Sequence, residues 1–284
     1  MIIIADGGST KTSWCLLTDT QQKIYFNTEG YNPYFSSTEY IIDSLKNNLP
    51  TDLARAEISE VYYYGAGCST DEKVGIVVKA MQTVFTAAKV YVGHDLLASA
   101  RALLGNKEGF AAILGTGTNT CLYNGKDITL NIDSLGYFLG DEGSGSFIGK
   151  RLLRDYMRGY MPENLGEIFF KTYGLSHADI FENLYNKPLP NRFCASFSKF
   201  IYDNNNFAEY TRDVVGEAFT AFFQNLVSHY PNYKNYPLNC VGSVAYNFRD
   251  VLSEVAGKYG MQVGKIIRSP IDDLVQYHQD FPIS

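Results

Sequence analysis

The chain contains one strand–turn–strand pattern twice, about 108 residues apart. Residues 2–27 have the pattern of a strand, a glycine-rich turn over Gly7–Thr12, a second strand, a short turn and a third strand. Residues 110–132 repeat this order, with the glycine-rich turn over Gly115–Thr120. Two copies of one sheet-starting segment predict two similar domains that face each other.

Between and after these copies, short apolar runs alternate with segments of helical spacing, which predicts an α/β fold. The polar, glycine-rich stretch Gly105–Gly109 places a domain boundary near residue 107. We therefore expect domains over residues 1–107 and 108–284, the second with a helical insertion over about 150–235. Within the insertion, Gly174 is expected to end one helix and Ser176 to cap the next. The final helix, near 272–279, is expected to cross back to the first domain.

The composition excludes several classes of function. The formal net charge is −6, and no basic stretch is present, so a nucleic-acid binder is not expected. The apolar runs are too short for a membrane span, and the N-terminal run is too short for a signal peptide. The 5 cysteines are widely spaced with no C-x-x-C pair, which argues against a disulfide scaffold or a zinc ribbon and favours the cytoplasm.

The two glycine-rich turns are candidate phosphate-binding loops. Each offers backbone N–H groups without Cβ obstruction, beside hydroxyl side chains. The alternative is a pair of ordinary hairpin turns. Neither G-x-x-x-x-G-K-[ST] nor G-x-G-x-x-G occurs, so the sequence is not that of a P-loop NTPase and does not support a Rossmann dinucleotide site.

Carboxylates at three places in the sequence are candidates for a functional site. Asp6 ends the first strand, and Asp95 follows the strand Val90–Val92 and opens a helix. Asp141 lies in the small-residue loop Gly140–Ser146 before another helix. Ligands of open α/β sheets gather at the carboxyl ends of strands, so Asp6 and Asp95 are candidates for a site. The carboxylates of residues 140–146 cannot pack a core among such small neighbours, so Asp141 is a candidate to lie over a cleft, near a metal ion or a hydroxyl group. The alternatives are a turn-initiating role for Asp6, and helix capping by Asp95 and by Ser144 or Ser146.

Taken together, five segments resemble motifs of the actin-like ATPase superfamily, which includes sugar kinases, and its BadF/BadG/BcrA/BcrD branch in particular. Asp6–Thr12 resembles the first phosphate motif of the family, and Leu114–Asn119 resembles the second. Gly140–Gly145 resembles the G-D-E-G-S segment of N-acetylglucosamine kinases. Val241–Val244 resembles the family's adenosine motif, and Pro270–His278 resembles its C-terminal segment. The resemblance implies two actin-like ATPase domains of ribonuclease H-like fold with a nucleotide cleft between them.

The resemblance also implies roles for individual residues. Asp6 would hold Mg²⁺ and Asp95 would be the general base on the sugar hydroxyl. The residues implied to contact the ATP phosphates are Gly8, Ser9, Thr10, Lys11, Gly115, Thr116, Gly117 and Thr118. Gly242 and Ser243 would border the nucleotide base. The residues implied to bind the sugar are Asn32, Asp95, Asn119 and Asp141.

The implied function is an ATP-dependent kinase for an amino sugar, with N-acetylglucosamine favoured and N-acetylmuramate, glucosamine and glucose left open. One alternative is an ATPase that drives a partner protein. The cysteines, however, lack the spacing of the iron–sulfur ligands carried by the family's dehydratase activators. A second alternative is a sugar sensor without catalysis, which would not need Asp95. The adenosine motif departs from the family's glycine pair at Ser243, and the resemblance leaves open whether the chain forms a homodimer.

Overall fold

The central strand of each of the two sheets is apolar and buried on both faces. Ile3 and Ile4 in the first strand, and Ala111 and Ala112 in its counterpart, are fully buried. Continuous apolar runs of this kind require cover on both sides of a sheet, which helices supply here. A computed structural model describes residues 1–8, 10–50 and 57–281.

The chain forms two compact units. Unit 1 comprises Met1–Lys107, Gly125–Asp127 and Ser269–Ser284, and unit 2 comprises Glu108–Asn124 and Ile128–Arg268. A single cut between residues 107 and 108 therefore does not describe the units, because the chain returns to unit 1 at Ser269. The reason is packing: the C-terminal helix lies against the first two strands and a helix of unit 1.

Unit 1 carries a five-stranded sheet of order β3-β2-β1-β4-β5, in which β2 is antiparallel to β1 and β3, and β4 is parallel to β1 and β5. Its strands are β1 (Ile2–Gly7), β2 (Lys11–Leu17), β3 (Lys23–Glu29), β4 (Glu60–Gly65) and β5 (Lys89–His94). Its helices are α1 (Thr38–Asn48), α2 (Asp71–Val84), α3 (Asp95–Leu104) and α13 (Ile271–Asp280).

Unit 2 repeats this strand order, as β8-β7-β6-β9-β10. Its strands are β6 (Glu108–Leu114), β7 (Thr118–Asn124), β8 (Ile128–Leu130), β9 (Leu238–Val241) and β10 (Val263–Ile267). Again the first three strands are antiparallel and β9 is parallel to both β6 and β10. The repeat in the sequence is thus a repeat of sheet topology within the described residues.

The helices of unit 2 lie mostly between β8 and β9. They are α4 (Gly136–Leu139), α5 (Gly145–Arg158), α6 (Glu163–Tyr173), α7 (His177–Tyr185), α8 (Pro190–Ser196), α9 (Ser198–Asp203) and α10 (Ala208–Asn225), followed after β9 by α11 (Ser243–Asn247) and α12 (Arg249–Lys258). The expected caps are confirmed, since Gly174 ends α6 in the left-handed region and Ser176 forms a capping box on α7. A core rich in phenylalanine, with Phe169, Phe219 and Phe222 fully buried, holds this layer against the sheet.

Candidate active site

The sheet of unit 1 places two carboxylates at one edge. Asp6 of β1 is in register with Tyr64 of β4, which is in register with Gly93 of β5. These strands are parallel, so their carboxyl ends meet at the same edge, about 10 Å apart across two strand spacings. Asp95 follows two residues after Gly93, as the first residue of α3. The structure therefore brings Asp6 and Asp95 to a common edge, where ligands of α/β sheets bind.

The two carboxylates influence each other electrostatically. Burial and, secondarily, the charge of Asp95 raise the pKa of Asp6 from 3.8 to about 7. A half-buried carboxyl group held beside a second one is costly to ionise unless a cation neutralises its charge. This arrangement suits a divalent cation, and a carboxyl pKa raised by burial and by a neighbouring charge marks a candidate functional site.

The first glycine-rich turn joins β1 to β2. The Gly8 N–H donates to the carbonyl oxygen of Lys11 at 3.0 Å, and the Gly30 N–H donates to the carbonyl of Thr10 at 3.0 Å. Gly7 packs so closely on the Tyr63 ring that a Cβ would overlap it. Thr10 and Lys11 are exposed, and Lys11 is the first residue of β2, so it belongs to a strand as well as to the turn. Ser9 lies outside the described residues.

Asn32 lies in another turn of unit 1. Its side-chain oxygen accepts the Tyr34 N–H at 3.0 Å, the pattern of an Asx turn, and its carboxamide abuts Gly67. The neighbouring Cys68 has its pKa raised to about 12 by burial and by the charge of Asp95. The segment that contains Gly67 and Cys68 thus contacts Asn32 and lies within electrostatic range of Asp95.

The second glycine-rich turn, between β6 and β7, is tied to Asp141. The Gly115 N–H donates to the carbonyl of Gly117 at 3.0 Å, and the Thr118 N–H donates to Oδ1 of Asp141 at 3.0 Å. Both carboxylate oxygens of Asp141 are so near Gly117 that a Cβ there would approach them to 3.1 Å. Burial raises the pKa of Asp141, although the Thr118 N–H lowers it.

The N-terminus of α5 packs against the same turn. The Gly145 N–H donates to the carbonyl of Gly115 at 2.8 Å, and the Ser146 N–H donates to the carbonyl of Thr116 at 3.1 Å. Ser144 caps α5 by accepting the Phe147 N–H at 3.1 Å. The expected helix capping by Ser144 is therefore confirmed. Three residues earlier, the buried Asp141 has a left-handed backbone conformation with φ 57°. Strain of this kind at a non-glycine residue is typical of functional sites.

Asn119, the residue after Thr118, has its side-chain oxygen engaged within unit 2. That oxygen accepts the Thr120 N–H at 3.0 Å and the amide of Asn131 at 2.9 Å. Asn119 is thereby fixed in orientation at the start of β7, beside the turn that Asp141 braces.

The strand-to-helix junction after β9 approaches the second turn closely. Gly242 has φ 128°, and a Cβ there would overlap the carbonyl oxygen of Leu114. Ser243 is exposed as the first residue of α11 and lines a pocket of about 240 Å³. Tyr202 of α9 and Phe248 also line this pocket. The sequence does not predict that α9 lies beside Ser243, because the two are about 40 residues apart in the chain.

A metal ion at this site would be held by few protein ligands. Within the described residues, no group of three or more His, Cys, Asp or Glu side chains is arranged to hold a metal. Mg²⁺ is commonly bound through one or two carboxylates, waters and substrate phosphates, so Asp6 fits that ion without such a cluster.

Known proteins are similar to this chain over nearly its whole length. A crystal structure of a candidate N-acetylglucosamine kinase from Porphyromonas gingivalis is 39% identical, with a TM-score of 0.94 and coverage of 100% of both chains. The sequence profile of the BadF/BadG/BcrA/BcrD ATPase family matches residues 5–272. The chain belongs to this family. Among curated proteins, none matches the chain in sequence.

More distant structures share the fold alone. A candidate N-acetylglucosamine kinase from Chromobacterium violaceum has a TM-score of 0.70 at 16% identity, over 98% of this chain and 99% of the other. A ROK family glucokinase from Streptomyces griseus, in complex with glucose and AMPPNP, has a TM-score of 0.64 at 14% identity, over 98% of both chains. The α/β fold with two five-stranded mixed sheets is thus shared with these two proteins. Within the described residues, no helix is both long and apolar enough to span a membrane.

Proposed function

We propose that the protein is an ATP-dependent kinase that phosphorylates a hydroxyl group of an amino sugar, with N-acetylglucosamine the favoured substrate. The observation that carries the proposal is the pair Asp6 and Asp95 at the carboxyl ends of β1 and β5, beside a glycine-rich turn. Membership of an ATPase family supports the use of ATP, and the similarity to the Porphyromonas protein supports the sugar.

Phosphoryl transfer needs positioning, charge stabilisation and a proton acceptor rather than covalent help from the protein. In the proposed reaction a sugar hydroxyl oxygen bonds the γ-phosphorus of ATP, the bond from that phosphorus to ADP breaks, and the hydroxyl proton passes to Asp95. Asp95 is partly exposed, with 21% of its side chain accessible, so a substrate can reach it. Mg²⁺, when bound near Asp6, would neutralise phosphate charge.

The remaining candidate residues would contact the ATP phosphates, the adenine ring or the sugar. In unit 1, Gly8, Ser9, Thr10 and Lys11 would contribute to the phosphate contacts. In unit 2, residues 115–118 would contribute, and Gly242 and Ser243 would border the adenine. The pocket beside Ser243 supports this, because the exposed ring of Tyr202 lies there and offers apolar surface to a flat base. The buried ring of Phe248 packs edge-on against it, with ring centroids 5.9 Å apart. Asn32, Asn119 and Asp141 would bind the sugar hydroxyls.

A coupled assay of ADP release with purified protein tests the proposal. N-acetylglucosamine, N-acetylmuramate, glucosamine and glucose are each added with ATP and Mg²⁺, and Asp95→Asn is run in parallel. Turnover that depends on an amino sugar and falls by orders of magnitude in Asp95→Asn is the expected result. ATP hydrolysis that is indifferent to every sugar would instead favour an ATPase that drives a partner, and sugar binding without turnover would favour a sensor.

A further inference from the structure

His94 and Asp95 stand at the junction between a strand and a helix. His94 is the last residue of β5, where it is in register with Gly65 of β4, and Asp95 is the first residue of α3. The sheet fixes the backbone of His94, and the helix fixes that of Asp95. Two adjacent side chains with so little backbone freedom can hold a defined contact.

That contact joins Nδ1 of His94 to Oδ1 of Asp95 at 2.8 Å. At this distance two lone pairs would repel each other, so a proton must lie between the two atoms. A general base has to be ionised before it accepts a proton, which places this proton on Nδ1. The histidine therefore donates and the carboxylate accepts.

The same protonation state decides which atom accepts the hydrogen bond from the Leu96 N–H. This N–H lies 2.8 Å from Oδ1 of Asp95 and 3.1 Å from Nδ1 of His94. Because a protonated Nδ1 has no lone pair to offer, the Leu96 N–H donates to Oδ1. Both donors then meet the same carboxylate oxygen, and Oδ2 is the oxygen that remains for a substrate hydroxyl.

The charges around the pair agree with this assignment. Burial lowers the pKa of His94, but the hydrogen bond and the charge of Asp95 outweigh it, and the net pKa is raised. A donor that is held this way fixes the rotamer of its carboxylate, as outer hydrogen-bond partners do for catalytic and metal-binding groups.

We propose that His94 is a positioning residue that holds Oδ1 of Asp95 through its Nδ1–H and so turns Oδ2 toward the sugar hydroxyl. The inference rests on the proposed function, in which Asp95 is the base. It gives the histidine a role in turnover beyond the helix cap that a residue at this position could provide.

Two isosteric substitutions separate the roles. Asn and Leu have the same branched shape, but only Asn places an N–H donor where Nδ1 stands. His94→Leu is expected to lower kcat about 10–100-fold with little change in the KM for sugar or ATP, and His94→Asn is expected to stay within about threefold of wild type. His229→Leu, at an exposed histidine of unit 2, is the matched control.

Thermal unfolding of the same variants measures the cap separately. A histidine that only capped α3 would leave kcat unchanged in folded His94→Leu while lowering its melting temperature, and that result would overturn the proposal. A rise in the sugar KM alone would also overturn it, because it would place His94 on the substrate.

A double substitution keeps this proposal distinct from the proposed function. If His94 acts only through the base, adding His94→Leu to Asp95→Asn should cause no further loss of kcat, and a full additional loss would contradict the proposal. The proposed function itself fails only if the wild-type protein shows no sugar-dependent turnover. Turnover retained by Asp95→Asn would leave the function standing but would remove the base, and with it the role of His94. If the wild type is a kinase, Asp95→Asn is inactive and His94→Leu is fully active, the proposed function stands and the positioning role of His94 is rejected.

Discussion

Replacing Asp6 by Asn should stabilise the metal-free protein while it removes activity. In the folded chain, burial and the charge of Asp95 raise the pKa of Asp6 from 3.8 to about 7. An acid whose pKa is raised by folding opposes folding once it ionises. The penalty is absent below pH 4, grows as the pH rises toward 7, and is complete above pH 7.

The size of the effect follows from the gap of about three pH units between the two pKa values. At about 1.4 kcal/mol for each pH unit, the ionised Asp6 costs the fold up to about 4 kcal/mol at pH 8. Asn has nearly the same shape and no charge. Asp6→Asn should therefore raise the free energy of unfolding at pH 8 by up to about 4 kcal/mol, and by far less at pH 4.

Urea unfolding without Mg²⁺, followed by tryptophan fluorescence, measures this difference. The chain has 1 tryptophan, Trp14, which is fully buried on β2 and pairs with Ala5, the neighbour of Asp6. Its emission thus reports on the sheet that carries the perturbation. Asp43→Asn, at an exposed position of α1, is the control and should show no pH-dependent gain.

The same variants test the metal. Adding Mg²⁺ at pH 8 should stabilise the wild type, because a ligand that binds only the folded state shifts unfolding by mass action, and it should have little effect on Asp6→Asn. Sugar-dependent turnover should be lost in Asp6→Asn. An Asp6→Asn protein that is no more stable than wild type at pH 8, or that keeps wild-type activity, would refute the reasoning.

Three further outcomes are expected. Asp95→Asn should bind ATP and sugar but lower kcat by about 10²–10⁴, and a near-normal kcat would retire it as the base. Asp141→Asn should mainly raise the sugar KM in the same assay, whereas a loss confined to kcat would make Asp141 the candidate base. Gly242→Ala should lower the free energy of unfolding by about 1–3 kcal/mol, because the new Cβ meets the Leu114 carbonyl at a φ of 128°. Its control, Gly257→Ala in open space on α12, should be neutral or slightly stabilising in the same urea titration, and equal losses in both would contradict the steric argument.

Local features could be predicted from the sequence because nearby residues decide them. The apolar runs became strands, the repeat became two sheets of one topology, and Gly174 and Ser176 ended and began helices where their chemistry predicts. The strand ends carrying Asp6 and Asp95 were found for the same reason, since a polar residue after an apolar run marks a strand end.

Tertiary structure decided which of these residues meet. The register across β1, β4 and β5 places Asp6 near Asp95 over about 90 residues of sequence, and no local pattern encodes that register. Packing also joins the C-terminal helix to unit 1 and brings α9 beside Ser243. The hydrogen bond of His94 to Asp95 depends on side-chain rotamers at a junction of strand and helix. Sequence spacing fixes which groups are available, but only the folded chain fixes the distances on which proton transfer depends.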